Sequence, residues 1–137
     1  MSAALYPQLR TSEDGSVGTA NTNRDGTTGS YTTLATGTAA GKEITDVVWM
    51  ADTTTTAGFI RLFVHDGTTA VMIAELPIAP CTPVATFPQI PVLRGVFTPV
   101  DGQGKPKPIV LSSTSHTLKA STHVSETFRL LAEGRTY

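Results

Sequence analysis

Cysteine is confined to Cys81, which excludes an internal disulfide framework and a thiolate metal cage. Charge is also scarce. Charged residues make up 15% of the 137 residues, against about 25% in an average globular protein. Ten basic and eleven acidic side chains nearly cancel, to a net −1, and neither sign forms a block. A nucleic-acid binder needs a basic stripe to displace counterions, so no nucleic-acid partner is expected. An acidic disordered tail is excluded on the same ground. No apolar run approaches the ~18 residues of a membrane span, so no membrane partner is expected either. The opening Met1-Ser2-Ala3-Ala4-Leu5-Tyr6 has neither a basic n-region nor a long apolar stretch, and no secretory signal is read there.

What the sequence does have is threonine, roughly one residue in six, together with 12 Gly and 9 Pro. Threonine is β-branched and suits strands, while Gly and Pro punctuate turns. A chain of this length can bury roughly 68% of its unfolded surface, enough for one real core. The composition points to a soluble all-β domain made in a reducing compartment.

Residues 1–29 and 30–137 read differently. From Thr11 to Gly29 the chain is almost entirely Ser, Thr, Asn, Asp and Gly, with Val17 the one large apolar side chain. Such a segment does not offset an ordering cost of about 1–2 kcal/mol per residue. It is expected to be an extended arm held by a partner or by the domain, or else an idle leader. Leu5, Tyr6 and Leu9 are its apolar cluster and its candidate contact residues.

From Ser30 onward short strands alternate with turn signals. They are expected at 30–36, 43–51, 59–65, 70–78, near 84–90, near 92–97, and at 109–111, 117–122 and 127–133. Val47, Trp49 and Ala51 share one face of the second strand, while Asp46, Val48 and Met50 share the other. Ile44 is out of phase with the core set, which predicts a bulge near Thr45. Asp66-Gly67 predicts a hairpin. Six prolines between Pro77 and Pro99 confine any strand there to an edge or a break. About eight antiparallel strands with no helical period predict a jelly-roll-like sandwich carrying an extended N-terminal arm.

Motifs for chemistry are missing. His116 and His123 lie at opposite ends of one expected strand and cannot share an ion without a bend, and His65 precedes a turn. No metal and no cofactor are therefore expected. The string Asp14-Gly15-Ser16-Val17-Gly18 is out of register for a nucleophile elbow. Gly102-Gln103-Gly104-Lys105 lacks the phosphate-loop frame. Asp46, Glu75, Glu126 and Glu133 are dispersed over different strands, with nothing to mark a glycosidase pair. Cys81 has no neighbouring base to activate it. No catalytic residue is assigned, and the chain is not expected to be an enzyme.

One strand has two apolar faces. Ile60, Leu62 and Val64 alternate with Phe59, Arg61 and Phe63, where a half-wet sheet would alternate apolar with polar. Loops of the same chain or another subunit must cover the second face. Aromatic residues and arginine are enriched at interfaces, so Phe59, Arg61 and Phe63 are candidate association residues.

Several strings carry a family resemblance. They are Gly26-Thr27-Thr28-Gly29-Ser30-Tyr31-Thr32-Thr33-Leu34, the run from Thr54 through Gly67 (TTTAGFIRLFVHDG), Leu118–His123 (LKASTH) and Ala132-Glu133-Gly134. Together they resemble the jelly-roll capsid cement (decoration) proteins of tailed bacteriophages, a family that includes the cement protein of a Bordetella phage. The resemblance spans about residues 26–137, is most specific over 54–67 and is weakest over 77–108. It implies a structural virion protein on the outer capsid surface, made in the bacterial cytoplasm, with the phage major capsid protein as partner and a homodimer as the working unit. A different class of reading is a glycan- or receptor-binding module of a tail or head fibre, for which one Trp and three Tyr are few.

Overall fold

The computed structural model describes residues 9–51, 53–82 and 94–137, with residues 9–14 described by backbone. Nine strands follow one another: β1 (Leu9–Val17), β2 (Thr32–Thr36), β3 (Lys42–Ala51), β4 (Gly58–His65), β5 (Ala70–Ile78), β6 (Arg94–Phe97), β7 (Ile109–Leu111), β8 (Thr117–Thr122) and β9 (Phe128–Thr136). There is no helix among the described residues. The expected strand near 84–90 lies outside the described residues.

The strands form two antiparallel sheets, ordered β1-β9-β3-β6 and β2-β8-β4-β5, with β7 pairing on β3. The pairings nest: β1 with β9, β2 with β8, β3 with β6 and β7, β4 with β5. The chain is thus one long hairpin, doubled at the β4–β5 turn, whose successive strand pairs are wrapped into opposite sheets. That winding is the jelly roll. Asp66 makes the doubling point: its Oδ1 accepts the Thr68 and Thr69 N–H groups at 2.8 and 2.6 Å. Gly67 turns the chain with φ +96°, a conformation that L side chains resist.

Alternation along the strands fills the space between the sheets. Trp49, Ile60, Leu62, Phe128 and Leu130 are buried there, joined by Leu34, Ile44, Val47, Leu111 and Leu118, while Val64 packs at the margin. The bulge falls at Thr45. Ile44 pairs with Gly134 and Asp46 with Glu133, so β3 spends one residue that β9 does not. The slip returns Ile44 to the buried face, and the Thr45 hydroxyl donates to the Glu133 carbonyl at 3.1 Å.

Of the alternatives for the N-terminal region, the domain itself holds residues 9–17. Residues 9–17 pair along the whole of β9, from Leu9 opposite Thr136 to Val17 opposite Phe128. Backbone pairing, which does not depend on apolar side chains, integrates this polar stretch into a sheet. Leu5 and Tyr6 lie outside the described residues.

Candidate interaction surface

A protein with two sheets has two outer faces, and here they differ. The outer face of the β2-β8-β4-β5 sheet carries Phe59, Arg61 and Phe63. Residues 19–31 cross it. Ala20 bridges to Thr122, and the Asn21 N–H donates to the Thr122 carbonyl at 2.8 Å. Asn21 is buried, its side-chain amide donating to the carbonyls of Thr28 and Ser30 at 3.1 and 2.9 Å. Asp25 ties the tip, accepting from the N–H groups of Thr27 and Thr28 and from the Thr28 hydroxyl at 2.5 Å. The Thr28 hydroxyl and these N–H groups hold the Asp25 carboxyl well below the usual carboxylate range.

Under this crossing segment, Phe63 is fully buried and meets Tyr31 edge-on, ring centroids 5.2 Å apart at 88°. Gly26 lies against it with φ +76°, and a Cβ there would come within 3.0 Å of the Phe63 ring. Arg61, 3% exposed, donates through Nε to Glu75 Oε2 at 2.8 Å. Its Nη1 reaches the Asn21 carbonyl at 3.4 Å, and its guanidinium sits 5.8 Å from the Phe59 ring centre. Arg24 adds a second cation to Glu75 at 3.2 Å. The hydrogen bond from Arg61, and then the charges of Arg24 and Arg61, keep the Glu75 carboxylate below its ordinary pKa. The chain's own loop thus covers the second apolar face, and Arg61 and Phe63 are buried without a second subunit. Phe59 is half-buried, edge-on to His123 at 6.1 Å. Leu9 opens β1.

The outer face of the β1-β9-β3-β6 sheet has no such cover among the described residues. Val48 stands between Leu131 on β9 and Val96 on β6. Val96 is 63% exposed. One step along the strands, Met50 stands between Arg129 and Arg94. One step the other way, Asp46 is opposite Glu133 and accepts the Thr98 hydroxyl at 2.7 Å. Over these three rows of β9, β3 and β6 the face runs basic, apolar, acidic, and the row beyond Asp46 and Glu133 sets Arg135 opposite Glu43. Its signal was present in the sequence: Arg129, Leu131 and Glu133 occupy alternate positions of one strand, opposite the solvent-side set Met50, Val48 and Asp46.

The polar groups considered for chemistry are held by local structure. His65 Nδ1 accepts the Gly67 N–H at 2.9 Å, and His116 Nδ1 the Ser112 N–H at 3.3 Å. Cys81 is half-buried and its backbone bridges to Thr55. Asp101 accepts the N–H groups of Gln103 and Lys105, which lower its pKa and make the 101–105 segment a closed turn. No group of three or more His, Cys, Asp or Glu is placed to hold a metal ion among the described residues.

The chain is similar to two crystal structures of a pentameric capsid protein isolated from metagenomic phage sequences. Each is 17% identical with a TM-score of 0.40; the match covers 98% of this chain and 64% and 65% of those chains. The chain thus spans a little under two thirds of their length. No family model matches the chain, and no curated protein does.

Proposed function

We propose that this chain is a structural virion protein that binds the outer surface of a phage capsid and cements neighbouring capsid subunits, with the major capsid protein as partner and a homodimer as the working unit. The observation that carries the reading is where the strings of the cement-protein resemblance fall. The 26–34 string supplies Gly26 and Tyr31, which seal Phe63. The 54–67 string is β4 with its hairpin turn, and the 118–123 string is most of its neighbour β8. Three of the four strings therefore fall in one interlocked unit of the fold, and the fourth, Ala132-Glu133-Gly134, lies on β9 of the other sheet.

A cement protein works by many modest contacts. A dimer that bridges two capsomers makes its second contact intramolecularly, at a high effective concentration. Leu5 and Tyr6, ahead of β1, remain our candidates for the capsid contact, with Leu9 where the strand begins. The fibre-module reading gains nothing from Trp49, which is buried against Gly95. The test is protection. Empty heads assembled from the major capsid protein of the same genome are incubated with this protein and challenged with heat and low ionic strength. The proposal expects disruption to shift to harsher conditions. Heads that neither bind the protein nor gain resistance would overturn it.

A further inference from the structure

We infer that a second copy of this chain packs on the outer face of the β1-β9-β3-β6 sheet, about a two-fold axis lying across the strands along the row Leu131–Val48–Val96. The inference rests on the homodimer part of the reading above and names its surface.

The three rows of that face carry the argument. Across β9, β3 and β6, Arg129, Met50 and Arg94 form one row; Leu131, Val48 and Val96 the next; Glu133 and Asp46 the third, with Ser16, Asp14 and Ser12 of β1 in register at their ends. Successive rows are separated by two residues, about 6.8 Å along the strands. A rotation of 180° about the apolar row reverses strand direction and turns the face onto its own copy. On β9, β3 and β6 it lays apolar on apolar and sets the basic row of each copy over the acidic row of the other. An axis along the strands would instead oppose basic to basic and acidic to acidic, which like charges penalise. The charge order thus selects one of the two in-plane axes.

The chemistry at each row suits this arrangement. Facing sheets stand about 10 Å apart and cross at about 30°, a gap that an arginine and a carboxylate together span. Arg94 on β6 and Asp46 on the adjacent β3 are about 4.8 Å apart sideways, within the swing of an arginine side chain. Arg129 and Glu133 flank them on β9 with the same signs. The 35 residues of β1, β9, β3, β6 and β7, at about 3.4 Å by 4.8 Å each, present roughly 570 Å² per copy, near the low end for a stable interface. The other sheet offers no equivalent, since residues 19–31 already lie on it.

Complementation tests the axis. Two variants of the full chain are made, Arg94→Glu with Arg129→Glu, and Asp46→Lys with Glu133→Lys, and their fold is checked by circular dichroism. Sedimentation equilibrium is run on wild type, on each variant alone, and on the two mixed in equal amounts. The inference expects dimeric wild type, at least tenfold weaker self-association of each variant alone, and recovery of the dimer on mixing, because every row contact is attractive again only in the mixed pair. Should a double variant misfold, Val96→Asp at the exposed edge of the apolar row is expected to weaken the dimer at least tenfold by itself. Dimers that survive all these changes would overturn the surface while leaving the homodimer intact. Monomeric wild type would overturn both. Monomeric wild type whose row variants also lose capsid binding would assign the face to the capsid protein.

Discussion

Arg61 Nε donates to Glu75 Oε2 at 2.8 Å across the β4–β5 pair, and the guanidinium is sealed from solvent beneath Asn21. A buried cation with one carboxylate partner makes the pair asymmetric: removing the anion strands the cation, while removing the cation leaves Glu75 with Arg24 and water. Glu75→Gln is therefore expected to lower the melting temperature more than Arg61→Met, measured side by side by calorimetry. The reverse order would show that the pair is not what holds the crossing segment.

The same carboxylates set the acid response. Glu75 and Asp25 are both held below their ordinary values of 4.5 and 3.8. A depressed folded pKa contributes stability that is fully present above the unfolded pKa and is lost as pH falls through the folded one. Melting temperature is expected to be insensitive to these groups from pH 7 to about 5 and to fall below about 4. Glu75→Gln, compared with wild type over pH 2–7, should flatten part of that decline; an unchanged slope would contradict the assignment.

Gly134 is required by the Thr45 bulge. A Cβ on Gly134 would fall 1.7 Å from the Glu43 carbonyl oxygen, a clash with backbone in the middle of a sheet. Gly134→Ala is expected to destabilise by about 3 kcal/mol, the upper end for overpacking, read from denaturant midpoints. A variant as stable as wild type would mean that β3 and β9 are not in this register.

Phe63 belongs to the interior. Phe63→Ala is expected to cost about 3–5 kcal/mol and to leave the oligomeric state of the surviving folded fraction unchanged, by sedimentation at a temperature where the fold persists. Loss of a dimer with no loss of stability would return Phe63 to an interface.

Truncation separates β1 from what precedes it. Removing residues 2–8 is expected to leave the melting temperature within a degree or two of wild type and to weaken capsid attachment. Removing 1–29 takes away β1 and the segment that seals Arg61 and Phe63, and is expected to unfold the domain. Stability retained after the longer deletion would show that β9 does not need its partner.

The strands with apolar alternation were legible from sequence, and so was the bulge, because Ile44 is out of step with Val47, Trp49 and Ala51. β1 was not legible. Its inward position Gly15 has no room for a side chain, since a Cβ there would meet Leu34 and Thr32 at 2.9 Å, so this polar edge strand shows no apolar alternation. The cover over Arg61 and Phe63 was also hidden, for it is a loop tied by Asn21 and Asp25 hydrogen bonds, with Tyr31 its one aromatic contact, and has no apolar periodicity. On β4 the two-faced pattern posed the right question, and a loop of the same chain supplied the answer.

The most direct measurement of the central claim is a cryo-electron microscopy reconstruction of empty heads assembled from the major capsid protein of the same genome, with and without this protein added in excess. A cement protein is expected to add density of jelly-roll size on the outer surface, repeated with the symmetry of the shell and bridging neighbouring subunits. Identical maps with and without the protein, or density confined to a fibre or a tail, would contradict it.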